Sequence, residues 1–251
     1  MQEKLHMNQH PGIDPPPFTT TVVGKLENSL FLRESTCYPR GGGQPGDTGK
    51  ISVIDDPSNM DNSASKSISS NMKEVLPGKM IIHPVDDASL FSEGQKILCS
   101  IDNDRRNSHT MMHTAQHIFS ALSEDIWGAE TVGNQIGEER SRVDLLFEDK
   151  SVFDPDTIIE AVNTTIHSKI SVHVHEWGRK KIMSHENMRH TKFMHRIPEV
   201  ITHLRVVEIE GVDLCPCAGT HVSNTSMIPK VKYAGKKNKG KGRLRISYEF
   251  E

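Results

Sequence analysis

The stretch Arg105-Arg106-Asn107-Ser108-His109-Thr110-Met111-Met112-His113-Thr114-Ala115-Gln116-His117 decides how the chain reads. It opens a pattern that predicts an α-helix from Asn107 or Ser108, either of which can cap it, to Trp127, with Gly128 as the stop. At helical spacing Met111, Ala115, Ile118 and Leu122 form one apolar stripe, and His109, His113 and His117 fall opposite. A helix buried by that stripe presents its histidines to a cleft. Imidazoles four residues apart lie one above the other and can share one ion. Far downstream, Cys217-Ala218-Gly219-Thr220-His221 carries a second pair of ligand types at the same spacing. Two distant segments thus predict one four-donor metal site. Imidazole nitrogen and thiolate sulfur suit Zn²⁺ better than Mg²⁺ or Ca²⁺. Spacing alone leaves two choices open: His109 against His117, and Cys215 against Cys217. Threonine at position 114, where H-E-x-x-H metalloproteases carry their glutamate, argues against that protease mechanism.

Upstream of the helix, residues 1–17 read as an irregular lead-in ending in Pro15-Pro16-Pro17. Residues 18–23, 30–33, 50–54, 80–83 and 96–99 read as strands, rich in β-branched or aromatic residues between turn signals. Cys37-Tyr38-Pro39-Arg40-Gly41-Gly42-Gly43-Gln44-Pro45-Gly46-Asp47 lies among them. Its glycines permit positive φ and close approach, but it has neither a P-loop ending nor a dinucleotide fingerprint, so no nucleotide cofactor is expected. The Ser/Asn-rich residues 55–74 have too little apolar content to pack and predict a mobile insertion. Downstream, residues 133–137 read as turn-like and 141–147 as a strand. A second helix starts at Asp154, with Ile158, Ile159, Val162 and Ile166 as its apolar face. Residues 170–175 alternate as a strand whose His173 and His175 share the solvated face, 179–203 are mixed, and 204–210 form another strand. The chain closes in a hairpin around a basic Gly/Lys loop.

The 251 residues suffice for one large domain or two modest ones, and no apolar run long enough to span a membrane occurs. Four cysteines are too few for a disulfide scaffold, and a reduced, cytoplasmic setting is expected. The net charge of -3 hides an uneven distribution: between Lys230 and Arg245 the chain carries Lys236, Lys237, Lys239 and Lys241 among its bases and no acid. Such a run attracts a phosphate backbone, and it equally suits a solvated surface loop.

Taken together, Arg105-Arg106, His109, His113-Thr-Ala-Gln-His117, Gly133-Asn-Gln-Ile136, Arg142-Val-Asp144, the Tyr38–Gly49 glycine loop and Val212-Asp-Leu-Cys-Pro-Cys-Ala-Gly-Thr-His221 resemble the editing domain of alanyl-tRNA synthetase. The length excludes a synthetase core, so the likeness is to the free-standing editing family, AlaX, in its form with an added N-terminal barrel. The resemblance implies an α+β fold. A small β-barrel domain would occupy 18–103, and a two-layer α/β domain with a mostly antiparallel sheet would occupy 104–251. It implies one Zn²⁺ per chain on His113, His117, Cys217 and His221, with His109 not a ligand. It also implies hydrolysis of mischarged tRNA(Ala), chiefly Ser-tRNA(Ala), with Gly-tRNA(Ala) a second substrate. Thr114 and Gln116 are then candidates for reading the serine hydroxyl or orienting water. Gly41, Gly42, Gly43, Gln44, Asp213 and Arg205 are candidates for substrate contact, and Lys236, Lys237, Lys239 and Lys241 for tRNA. The oligomeric state is open. Alanine at 218, where the family carries glycine, raises the question of backbone strain. Two alternatives stand beside this reading: a non-catalytic RNA-binding protein with a structural zinc, and a deacylase for another mischarged tRNA such as Thr-tRNA.

Overall fold

The computed structural model describes residues 2–8, 14–54 and 68–251. It is an α+β fold whose sheets are almost entirely antiparallel, divided into two compact units. One comprises residues 1–41 and 45–107; the other comprises 42–44 and 108–251.

The first unit begins with β1 (Glu3–Lys4) and α1 (Leu5–Asn8), so the lead-in is not wholly irregular. The reason is local anchoring: buried Gln2 donates to the Leu32 carbonyl at 2.9 Å and accepts from the Ile81 N–H at 2.6 Å. There follow β2 (Phe18–Leu26), β3 (Ser29–Leu32), β4 (Glu34–Ser35), β5 (Gly49–Val53), β6 (Ser69–Met72), β7 (His83–Pro84) and β8 (Lys96–Ile101). β1 pairs parallel with β4, and six strands form one sheet in the order β6-β5-β8-β2-β3-β7. Lys73 N–H donates to the Pro84 carbonyl at 2.8 Å and Asp86 N–H to the Asn71 carbonyl at 3.1 Å, joining the two ends of that sheet. Val22, Leu30, Leu32, Ile51, Ile81, Phe91 and Ile97 form its fully buried core. Two expectations need correction. Residues 80–82 are not strand, and β6 lies inside the segment expected to be mobile, because Ile51 and its neighbours give 69–72 a partner edge. The remainder of that segment, 55–67, lies outside the described residues.

Helix α2 (Asn103–Trp127) starts a turn earlier than its apolar pattern predicts. Asp102 accepts from the Arg105 N–H at 3.2 Å and so acts as the cap. The side chain of Arg106 is 1% exposed and pairs through two nitrogens with Asp47, whose carboxylate also accepts from the Tyr38 N–H at 2.6 Å. At the other end Gly128 takes φ +63°, and the Ala129 N–H reaches back to the Ser123 carbonyl.

The second unit holds the rest of α2, then β9 (Glu130–Gln135), β10 (Arg140–Leu146), α3 (Pro155–His167), β11 (Val172–Gly178), α4 (Arg179–Ser184), β12 (His203–Ile209), β13 (Asp213–Pro216), β14 (Val231–Asn238) and β15 (Arg243–Phe250). Residues 133–135, read as a turn, are strand: Gly133 and Asn134 pair opposite Asp144 and Val143 of β10. Two sheets result, β14-β15-β10-β9 and β11-β12-β13. α3 is capped by Asp154, which accepts from Thr157 N–H at 2.9 Å, and buries Ile158, Val162 and Ile166, leaving Ile159 half-buried. Lys236 and Lys237 belong to strand β14; only Lys239 and Lys241 lie in the turn, and all four are exposed.

The single-stripe picture of α2 also needs correction. Residues 112–121 are buried all round, whereas Met111 and Leu122 are only half-buried. Phe119 stacks on Tyr248 of β15 at 5.6 Å, and the Tyr248 hydroxyl donates to the Met112 carbonyl at 2.9 Å. The histidines therefore face packed protein rather than an open cleft.

Candidate metal centre

The helical rise stacks His113 above His117 on α2, with ring centroids 5.0 Å apart. The chain leaving β13 brings Cys217 and His221 against them, and His221 lies 4.5 Å from both rings. One donor atom from each of His113, His117, Cys217 and His221 lies within 4.8 Å of all the others. His109 does not belong to this group; it is His117 that converges with His113, Cys217 and His221. The Cys217 Sγ is 3.7 Å from His113 Nε2 and 3.4 Å from His221 Nε2.

Each imidazole has its outer nitrogen committed. His113 Nδ1–H donates to Gln44 Oε1 at 2.7 Å, and His117 Nδ1–H to Asp213 Oδ2 at 2.8 Å. Thr114 spends its own proton on the Thr110 carbonyl at 3.0 Å, so at 3.2 Å it accepts from His221 Nδ1–H. These partners fix the tautomer that leaves every Nε2 free for an ion. Three buried imidazole nitrogens and one half-buried sulfur fit a tetrahedral, borderline-soft ion, and Asp213 adds a carboxylate–histidine pair behind it.

The charges agree with this arrangement. Burial opposes ionisation of Cys217, but the adjoining His113 and His117 outweigh it and draw the thiol well below its ordinary value. Burial and the Asp213 carboxylate push Cys215 up to about 12, which keeps it a thiol; its S–H donates to Asp213 at 3.3 Å. Burial lowers His221 well below the usual range, and His117 and His113 add to that. His117 goes the other way: burial disfavours its charge, yet the sulfurs of Cys215 and Cys217 and the Asp213 carboxylate hold it well above the usual value. An ion on the four donors replaces these protons. Cys215 makes a second, smaller group with His117 and Asp213 on the outer side of the His117 ring.

The other predicted residues divide into those that support the centre and those that lie elsewhere. Gln44, 1% exposed, also donates from Nε2 to the Thr220 hydroxyl at 2.8 Å. Arg205 donates to the carbonyls of Cys217 and Gly219 at 2.9 and 2.8 Å, holding the ligand loop. Gln116 donates to Ser120 at 2.6 Å and accepts from Asn134 at 3.0 Å. Gly43, at φ +87°, lets the glycine loop lie on Asn134: a Cβ there would sit 2.1 Å from its Oδ1. Gly42, at φ +57°, borders open space. Gly41 accepts through its carbonyl from the Tyr38 hydroxyl at 2.8 Å, within the first unit. Sequence reasoning missed Thr110 and Thr220, whose hydroxyls meet at 2.6 Å between the two ligand segments. It missed Gly219 as well, where a Cβ would lie 2.0 Å from His113 Cε1. Isolated threonines and a single glycine in two distant segments carry no spacing signal. Ala218 is exposed and is not among the residues with positive φ, so the substitution there carries no strain.

A family model described as the second additional domain of threonyl and alanyl tRNA synthetases matches residues 204–247. The alanyl-tRNA editing protein AlaX-M of Methanosarcina barkeri is 33% identical over 235 residues, covering 92% of this chain and 93% of that protein. AlaX-M of Saccharolobus solfataricus is 32% identical, covering 92% of each. The alanyl-tRNA editing protein Aarsd1 of Danio rerio is 30% identical over 86% of this chain, which spans 50% of that longer protein.

Proposed function

The chain belongs to the family of alanyl-tRNA editing proteins, and from that premise we propose that it is a trans-editing hydrolase. Its substrate is mischarged tRNA(Ala), chiefly Ser-tRNA(Ala), with Gly-tRNA(Ala) second, and it works at one Zn²⁺ held by His113, His117, Cys217 and His221. The observation that carries this reading is the ring of four converging donors, three buried imidazoles and the half-buried Cys217, whose three outer nitrogens are all committed. Bound Zn²⁺ supplies Lewis acidity toward an ester or water oxygen.

In the reaction, water adds its oxygen to the ester carbon, and the bond to the terminal ribose oxygen breaks. The proton passes to that oxygen, releasing free amino acid and intact tRNA. The chain's own residues position. Thr114 acts by holding His221, because its proton and lone pairs are already taken by Thr110, His221 and Val222. Gln116 acts through Asn134, the half-buried end of its hydrogen-bonded chain. A site that hydrogen-bonds a hydroxyl rejects the analogue lacking it, which is how serine is removed and alanine spared. Exposed Lys236, Lys237, Lys239 and Lys241 supply the charge for the phosphate backbone. We also read the six-stranded sheet as a closed barrel, supported by the bonds between 71–73 and 84–86. The second unit is read as a two-layer editing domain.

The test is a deacylation panel of Ser-, Gly-, Ala- and Thr-tRNA with metal-replete and chelator-treated protein. Ser-tRNA(Ala) is hydrolysed and Ala-tRNA(Ala) spared, and chelation abolishes the activity. No hydrolysis by zinc-loaded protein supports an RNA-binding role with a structural zinc; a preference for Thr-tRNA moves the specificity to another acceptor.

A further inference from the structure

A second pairing of cysteine with histidine lies in the first unit, among residues the editing chemistry does not use. Cys37 follows β4 and Cys99 sits in β8, 62 positions apart in sequence, yet their sulfurs are 3.8 Å apart. Both side chains are wholly buried. Met72 Sδ lies 4.0 Å from the Cys99 sulfur, so the pair is walled by apolar core. His83 lies beside the pair: its Nδ1–H donates to the Leu30 carbonyl at 3.3 Å, its Nε2 accepts from the Ser35 hydroxyl at 2.9 Å, and the ring neighbours Cys37. That same hydroxyl accepts from the Cys37 N–H at 3.2 Å. Cys37 is therefore held in place by its backbone, with its sulfur aimed at Cys99.

We propose that Cys37 and Cys99 are a dithiol redox site, which closes to a disulfide under a peroxide and reopens under a dithiol reductant. The two thiols have unequal roles. Burial opposes the charge of Cys37, but the Cys99 S–H and the neighbouring His83 outweigh it and bring that thiol down to about 6, while Cys99 is held well above the ordinary value. With its backbone N–H tied to Ser35 and the more acidic thiol of the two, Cys37 is the attacking sulfur. Its thiolate takes an oxygen from peroxide, whose O–O bond breaks, giving a sulfenic acid and, with one proton, water. Cys99 then attacks the sulfenic sulfur; the S–O bond breaks, and hydroxide leaves with the Cys99 proton as a second water. Two thiols and one peroxide give one disulfide and two waters. The bridge joins a central strand to the base of the glycine loop. There Tyr38, next to Cys37, binds Asp47, the partner of Arg106 in the first turn of α2.

The experiment uses the full chain loaded with zinc, so that Cys217 is ligated. After peroxide, remaining thiols are alkylated in denaturant and an unreduced digest is read by mass spectrometry. The expected product is a linked peptide pair carrying Cys37 and Cys99, lost on reduction. It is absent from Cys99→Ser and from Cys37→Ala, and the oxidised protein has a Tm several degrees above the reduced form, since the bridge closes a long loop. Recovery of both cysteines alkylated, or of Cys37 as sulfinic or sulfonic acid, overturns the proposal. So does a bridge that appears only with a lowered Tm, because it would then require the fold to open.

Discussion

His83 in one unit and His113, His117 and His221 in the other are equally buried beside cysteine sulfur, yet they do opposite things with their nitrogens. His83 hands both to protein oxygens. The other three hand over Nδ1 and turn Nε2 toward one another. Burial and a nearby sulfur therefore do not make a metal centre. What makes one is a set of outer partners that fixes each ring with its other nitrogen unspent.

The sharpest way to break that contrast is to remove a sulfur from each cluster. Cys217→Ala leaves three imidazoles and an incomplete tetrahedron, and metal affinity falls by more than roughly 100-fold, the upper range for outer-sphere changes. Cys99→Ala leaves the metal content unchanged. Competition with a chromophoric chelator measures both. Equal loss in the two variants would mean that the two clusters are not distinct.

The next effect separates stability from ligation. Asp47→Asn removes the carboxylate to which two nitrogens of wholly buried Arg106 donate. Breaking a buried ion pair by removing one partner costs about 3–5 kcal/mol, read as a lowered denaturant midpoint. The double change Arg106→Met with Asp47→Leu recovers most of it, since an apolar pair removes the desolvation cost as well as the attraction. If the single change is silent, Arg106 is not dependent on Asp47.

Smaller again are the outer partners themselves. Asp213→Asn, Gln44→Ala and Thr114→Val each leave all four donors present but loosen one ring. The expected loss is about 10–100-fold in metal affinity. Ser35→Ala, which removes the equivalent partner of His83, costs about 1 kcal/mol of stability and nothing in metal. Metal titration beside thermal melting separates the two outcomes.

How much of this was legible in the sequence depends on whether a feature repeats with a period. The helix, its two histidines, the downstream Cys217/His221 pair and the β-rich beginning all follow from spacing and composition. Spacing could not choose His117 over His109, and only the family resemblance pointed to it, because which turn of α2 faces residues 217–221 is a contact across about a hundred positions that no local pattern encodes. The helix start was misplaced because its first turn carries no apolar stripe: the cap Asp102 is polar, and Arg106, buried in a charge pair with Asp47, does not register as apolar periodicity. β9 was missed because Gly133-Asn134 has turn composition; pairing with β10 overrides it. Gln44 was a candidate for substrate contact from its loop, with no neighbour assigned to it. Its side chain is spent on His113 and Thr220, and a single glutamine carries no signal of that.

The finest test lies within two adjacent residues of the ligand loop. Ala218 is exposed with ordinary φ, whereas Gly219 is buried and its missing Cβ is where the His113 ring passes. Gly219→Ala puts a methyl 2.0 Å from Cε1 and 2.3 Å from Nδ1 of a ring already tied to Gln44. The ring cannot yield without loosening that bond or withdrawing Nε2 from the cluster. Overpacking of this kind costs about 1–3 kcal/mol. Because the strain falls on a ligand, it appears as a roughly tenfold or greater loss of metal affinity, at about 1.4 kcal/mol per factor of ten. Ala218→Gly adds only unfolded-state freedom, about 0.4–1 kcal/mol, with metal affinity unchanged. If the two substitutions prove equivalent in a chelator competition, the close approach at Gly219 is not what seats His113. The orientation of that ring must then come from Gln44 alone.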